Sequence, residues 1–249
     1  PVFLKTCPAS DLQRFEAEAD GLVELGRAGA IRVPQVLACA RCESDAMLAL
    51  EWLALQEPDQ GAEQVLGEQL AAQHRHTHEQ FGWRRDNSIG MTPQINTEDE
   101  DWIRFFRRWR LGYQLELAAS NGFSGTLQSE GRMLAAGFER FFSNYAPEAS
   151  LLHGDLWSGN RGCTEGVPVV FDPAVYYGDR ESDLAMTRLF GGFSDAFYRS
   201  YESAWPLEPG HQDRLLLYQL YHVLNHLNLF GAAYLGRALE IIRKLNARL

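Results

Sequence analysis

The pattern of apolar and polar positions changes character near residue 53. Before it, Val2-Phe3-Leu4 reads as a strand running to Lys5, followed by a turn at Cys7-Pro8-Ala9. Ser10 and Gln13 stand at capping-box spacing, so a helix is predicted from there. Phe15, Leu22 and Leu25 recur along one face of that helix, and Gly26 and Gly29 end it. Segments 33–37 and 47–50 read as strands around a polar turn at 41–45. After Leu53, a polar stretch with Pro58 and Gly61 leads into mainly helical sequence. Helices are predicted over 63–78, 99–119, 127–145, 182–203 and 211–245, and only 151–152 and 167–171 read as strands. The predicted fold class is α+β in two parts: a small lobe at 1–53, a connector near Glu51-Trp52-Leu53, and a larger helical lobe at 54–249.

Composition narrows the function classes. The chain has 249 residues, 45% hydrophobic and 22% charged, which suits a soluble globular protein with a sizeable core. A net charge of −10 argues against a nucleic-acid partner. No run of 18 apolar residues predicts a membrane span, and no signal segment opens the chain, so the expected compartment is the cytoplasm. Cys39 and Cys42 form a C-A-R-C pair, which supplies only two of the four ligands of a structural zinc; ordinary reduced thiols are expected. Because the chain opens at Pro1 almost inside a strand, further residues upstream are expected in the parent protein.

The chemistry is concentrated in two places. An apolar strand leads into His153-Gly154-Asp155-Leu156-Trp157-Ser158-Gly159-Asn160, and a second strand places Asp172 twelve residues after Asn160. Phosphoryl transfer needs a carboxylate to accept the hydroxyl proton and oxygen ligands to hold Mg²⁺ on the phosphates of ATP. Asp155, Asn160 and Asp172 match the kinase pattern His-x-Asp-x4-Asn followed by an Asp on the next hairpin. Gly154 stands where protein kinases have Arg, and Pro173 follows Asp172 where they have Phe, which points toward small-molecule kinases. Near the N-terminus, Glu18 falls in the middle of the apolar face of its helix, with Glu16 and Asp20 opposite. An inward carboxylate needs a partner, and Lys5 is the natural one. A plain structural ion pair is the alternative.

The chain resembles the fructosamine (ketosamine) 3-kinases, a branch of the protein-kinase-like superfamily that includes aminoglycoside and choline kinases. The resemblance is carried by 153–160, by Phe171-Asp172-Pro173-Ala174 with Tyr177-Gly178, by Phe81-Gly82-Trp83 with Asn87 and Ile89-Gly90, and by Tyr218-Gln219-Leu220-Tyr221 with Leu224-Asn225-His226. It implies a two-lobed protein-kinase-like fold and a ketosamine substrate, small or protein-bound. It further implies Asp155 as general base, Asn160 and Asp172 as Mg²⁺ ligands, and Lys5 with Glu18 orienting phosphates. Glu51, Trp52 and Leu53 match the connector that holds adenine, and Trp83, Asn87 and Trp157 the substrate side. Kinases of this group cover the phosphates with a glycine-rich hairpin before the lysine strand, and only four residues precede Lys5, so the small lobe reads as incomplete. Two rival readings follow: another small-molecule kinase of aminoglycoside or choline type, or a non-catalytic nucleotide-binding protein.

Other charged and aromatic residues are expected to be structural. His74, His76 and His78 read as a solvated helix end, and His222 and His226 as packing beside Tyr218, Tyr221 and Leu224, with lining of the substrate cleft as the alternative. Asp183 resembles the acid that braces the catalytic loop, whereas Asp179 and Glu181 read as surface charges. Trp102, Phe105, Phe106 and Trp109 read as core.

Overall fold

The computed structural model describes all residues, 1–249. Strands β1 (Val2–Pro8), β2 (Val36–Cys42) and β3 (Asp45–Glu51) form an antiparallel sheet in the order β1-β3-β2. Helix α1 (Leu12–Ala28) lies across it. Alternation along β3 turns Ala46, Leu48 and Leu50 inward, where they meet Phe15, Ala19 and Leu22 of α1 in a small core of its own. Leu25, two turns or so along the helix from Phe15 and Ala19, belongs instead to the main core of 44 buried residues. One helix therefore ties the small lobe to the large one.

The large lobe begins with α2 (Gln60–His74), capped by Asp59, whose carboxylate accepts the Ala62 N–H at 2.8 Å. Next come β4 (Thr77–His78) and the hairpin β5 (Asn87–Ile89) and β6 (Thr92–Gln94). Helices α3 (Trp102–Phe105) and α4 (Tyr113–Ser120) are joined by a π-helical stretch, Phe106–Gly112, and α5 (Thr126–Gly137) follows. Strands β7 (Ala149–Leu152), β8 (Arg161–Thr164), β9 (Val167–Val170) and β10 (Tyr176–Gly178) make short pairings, β10-β7-β4 and β8-β9. Helices α6 (Glu181–Leu189), α7 (Asp195–Ala204), α8 (His211–Phe230) and α9 (Leu235–Asn246) complete the lobe. A backbone bridge from Arg32 to Val169 fastens the two lobes, and one from Gln56 to Cys163 anchors the chain just after the connector. The α+β architecture expected from the sequence is the one observed. No helix is long and apolar enough to cross a membrane.

Several element boundaries differ from the expectation, each for a physical reason. β1 does not turn at Cys7 but runs to Pro8 opposite Asp45, because β3 is long enough to keep offering partners. Pro8 sits at the strand end, where a missing N–H costs least. The capping box at Ser10 and Gln13 does not form: Ser10 donates to the Asp11 carboxylate and α1 starts at Leu12. Gly26 stays helical, and the helix stops at Gly29, whose φ of 66° is the left-handed conformation of a helix C-cap. The spans 182–203 and 211–245 each divide in two, at Gly191-Gly192 and at Gly231, all with positive φ. The span 127–145 ends its α-helix at Gly137 and tightens into a 3₁₀ turn, Phe138–Phe142. Cys39 and Cys42 both lie in β2, three residues apart and so on opposite faces of the strand, and all four thiols are unpaired.

Three expectations about charged groups are overturned. His74 is not solvated but wholly buried, with Tyr201 Oη 2.9 Å from Nδ1 and Asp183 Oδ2 3.2 Å from Nε2. Asp179 and Glu181 are not surface charges either. Asp179 accepts the hydroxyls of Tyr145 and Tyr218 at 2.9 and 2.5 Å, and Glu181 takes the Arg214 guanidinium in a two-pronged bond at 2.8 and 2.9 Å. Helix α8 brings both Tyr218 and Arg214 over the start of α6, a convergence that local sequence does not reveal.

Candidate active site

β7 carries the chain out of the main core into the loop with Asp155, and α6 holds that loop from behind. Asp183, fully buried in the first turn of α6, accepts the backbone N–H groups of His153 and Gly154 at 2.7 and 2.8 Å. Burial alone would raise its carboxyl, but the hydrogen bonds from His74 and Gly154 hold it below the usual carboxylate range. Asp183 is thus the loop brace expected from the sequence. His153 accepts the Asp155 N–H at Nδ1 and donates from Nε2 to the Phe171 carbonyl at 3.0 Å, linking the Asp155 loop to the strand that delivers Asp172. Gly154 has a φ of 83°, and a Cβ there would lie 2.0 Å from the Ala174 carbonyl oxygen. No side chain fits at that position, which accounts for the glycine where protein kinases carry arginine.

Asn160 donates from Nδ2 to the Asp155 backbone carbonyl at 2.9 Å and approaches its carboxylate at 3.4 Å, leaving Oδ1 without a protein donor. Burial and the charges of Asp183 and Asp172 push the Asp155 carboxyl up to about 7, against the Asn160 N–H. A carboxylate poised near neutrality suits a general base. Asp172 holds a φ of 56°, rare for a residue with a side chain, of the strained kind that clusters at functional sites. Its carboxylate is 2.6 Å from Lys5 Nζ, which lies equally close, 2.6 Å, to Glu18. Burial would lower the Lys5 pKa, but the two carboxylates raise it above its ordinary value and keep the ammonium charged. The paired carboxylate is Glu18, as expected; Asp20 instead meets Arg84 and Arg85 at 3.2 and 2.6 Å on the other side of the helix.

Lys5, Glu18, Asn87, Asp155, Asn160 and Asp172 line one cleft of about 300 Å³ between the lobes. An apolar cavity of about 430 Å³ opens beside it, walled by Phe3, Leu50, Trp52, Leu53, Leu55 and Phe171. The Glu51 carboxylate is bound to Arg32 at 2.8 Å and to the Gln35 N–H at 3.2 Å, so Glu51 shapes the connector through its side chain while the Leu53 N–H has no protein acceptor. A third cavity, about 490 Å³, adjoins Asp155 on the opposite side. Trp157 and Phe190 line it, together with His222, Asn225, His226 and Phe230 of α8. His222 and His226 were expected to pack; they do contact aromatic rings, but both also form the wall of this cavity. Burial pushes the His222 imidazole down to about 3, so it is neutral.

Two expected substrate residues have other surroundings. Trp83 is buried at 4% exposure, with the Arg84 guanidinium over its ring, and lies outside both cavities that adjoin Asp155. Asn87 faces the cleft, but its amide donates to the Val175 carbonyl and accepts from Gln94 and Asn96, so it holds the hairpin in place. Arg14, Met91, Phe190 and Phe230 line these cavities without any motif to mark them.

Asn160 Oδ1 and the Asp172 carboxylate are hard oxygen donors, and two protein ligands are what Mg²⁺ takes when phosphates and water supply the rest. The residues fit such an ion. If Lys5 and Glu18 act as a unit, Lys5→Met and Glu18→Gln each weaken nucleotide binding measured by calorimetry. The double variant then loses less than the sum, with a coupling of about 0.5–3 kcal/mol. Additive losses, or an equal loss in Glu16→Gln, would assign the partnership elsewhere.

Comparison with known proteins agrees with this geometry. A family model described as fructosamine kinase matches residues 1–248. A Synechocystis sp. protein assigned as a ketoamine kinase is 43% identical over 244 residues, covering 97% of this chain and 82% of the relative. A Thermobifida fusca structure assigned as a fructosamine-3-kinase superposes with a TM-score of 0.89 at 35% identity, covering 100% of this chain and 86% of that one. A thermostable mutant of an aminoglycoside phosphotransferase shares the fold at 16% identity, with a TM-score of 0.64 and coverage of 98% and 87%. The fold is therefore that of the protein-kinase-like phosphotransferases, and the chain belongs to the fructosamine kinase family.

Proposed function

We propose that this chain transfers the γ-phosphoryl group of ATP to a sugar hydroxyl of ketosamines, either small or attached to a protein amine. The observation that carries the reading is the convergence of Lys5, Asp155, Asn160 and Asp172 on one cleft, with an apolar cavity on one side and an aromatic one on the other. Residues 1–53 would form the nucleotide-facing lobe and 54–249 the rest. Adenine fits the apolar cavity by the connector, where the free Leu53 N–H offers a donor. Lys5, held by Glu18, orients the phosphates. Mg²⁺ on Asn160 and Asp172 would offset phosphate charge. The sugar oxygen bonds to the γ-phosphorus as the bond to the β–γ bridging oxygen breaks. The hydroxyl proton passes to the Asp155 carboxylate, and ADP leaves with the electron pair.

The acceptor cavity favours a ketosamine over an aminoglycoside. Asp155 is its one carboxylate, and the remaining wall is aliphatic, aromatic and neutral imidazole with one amide, Asn225. A polycationic aminoglycoside would enter with its ammonium groups unpaired, a costly desolvation. The aromatic rim could receive a quaternary ammonium, which keeps choline as the rival acceptor. The test is a rate panel with a fructosyl amine, an aminoglycoside and choline. Phosphorylation of the fructosyl amine at a kcat/KM about 100-fold or more above the others is expected, a preference of about 2.7 kcal/mol. A preference for either rival would overturn the assignment.

A further inference from the structure

The catalytic cleft contains a second cation that the reading above does not use. Arg14 projects from the first turns of α1 and lines the cleft with Lys5, Asp155, Asn160 and Asp172. Lys5 sits between two carboxylates at 2.6 Å each, so its charge is already balanced. Arg14 has no comparable partner. Its Nη1 approaches Asp11 no closer than 3.6 Å, its Nη2 donates to the Gly90 carbonyl at 3.4 Å, and its Nε is buried with no acceptor. A guanidinium with a buried, unused N–H, in a cleft whose other cation, Lys5, is already held by two carboxylates, is prepared for an incoming anion.

Its position says which anion. Gly90 is the turn of the β5–β6 hairpin and lines both the cleft and the aromatic acceptor cavity; Asp155 and Trp157 are the other residues the two share. Arg14 therefore reaches across from the small lobe to Gly90, at the place where the two cavities meet. The connector and the apolar cavity proposed for adenine lie at the other side of Asp172. The anionic group that must occupy the junction during transfer is the terminal phosphoryl group.

We propose that Arg14 binds the γ-phosphoryl oxygens of the nucleotide, so that this enzyme discriminates ATP from ADP through a side chain of α1. The proposal rests on the kinase reading, and its test reads nucleotide binding, so that loss of one does not imitate loss of the other. The guanidinium would hold the group in line between the leaving oxygen and the sugar hydroxyl. It would also offset charge that Lys5, engaged by Glu18 and Asp172, offsets only in part.

The experiment compares wild type with Arg14→Met and Arg14→Lys, measuring the Kd of Mg·ADP and of a non-hydrolysable Mg·ATP analogue by calorimetry. Met keeps the length and apolar stem, and its retained ADP affinity reports that the site is folded. Arg14→Met should weaken the ATP analogue by about 10- to 100-fold, the loss of one or two charge-assisted hydrogen bonds, with ADP nearly unchanged. Arg14→Lys should recover part of that loss. Equal weakening of both nucleotides, or no change in either, would overturn the proposal. It would also be overturned if Arg14→Met left both Kd values alone and raised KM only for a ketosamine bearing a carboxylate, since Arg14 would then serve the acceptor.

Discussion

Replacing Asp155 by Asn should lower turnover by about 10²–10⁴-fold while nucleotide affinity stays close to that of the wild type. Asn keeps the volume and an acceptor oxygen for the Asn160 N–H, which donates mainly to the Asp155 backbone carbonyl in any case. What it cannot do is take a proton from the sugar hydroxyl. The substitution also removes a charge that burial and the nearby Asp183 and Asp172 already disfavour, so the folded state should lose no stability. Steady-state rates together with calorimetry separate the outcomes. A rate within tenfold of wild type would remove Asp155 from the base role.

The largest effect on stability is expected at Asp183. Its two oxygens satisfy the N–H groups of His153 and Gly154 and face His74, all in the main core. Asp183→Ala would leave two buried backbone donors and the His74 Nε2 without a partner, at a cost of about 3–5 kcal/mol. For a chain of this size that corresponds to a melting temperature lower by roughly 6–20 °C. Because the brace also sets the Asp155 loop, activity should fall well below that of wild type even at temperatures where the variant remains folded. Thermal unfolding by circular dichroism, with rates measured below the transition, checks both. Loss of stability without loss of rate would show that the loop keeps its shape without the brace.

What could be read in the sequence was local. Asp155, Asn160 and Asp172 stand within 18 positions, on two strand-led loops, so their spacing alone implies proximity. Glu18 could be singled out from helix periodicity, and Lys5 by the need of an inward acid for a partner. Asp179 and Glu181 look like surface residues because their partners, Tyr145, Arg214 and Tyr218, lie 33 to 39 positions away on other elements. Arg14 carries no local signal for the same reason: the cleft it lines exists only after α1 and the β5–β6 hairpin meet. Trp83 is the converse case, a large aromatic in a motif that the fold buries outside both cavities that adjoin Asp155. The helix breaks at Gly191-Gly192 and Gly231 were visible as glycines, but apolar periodicity on either side concealed them.

Phosphoryl transfer from ATP to a ketosamine hydroxyl can be followed at the phosphorus atom itself. Purified protein is incubated with Mg²⁺, γ-³²P-labelled ATP and a fructosyl amine, and the products are separated. Label is expected on a sugar oxygen of the ketosamine in amounts equal to the ADP formed, with almost none transferred by Asp155→Asn. Label recovered only as inorganic phosphate, or transfer undiminished in Asp155→Asn, would contradict it.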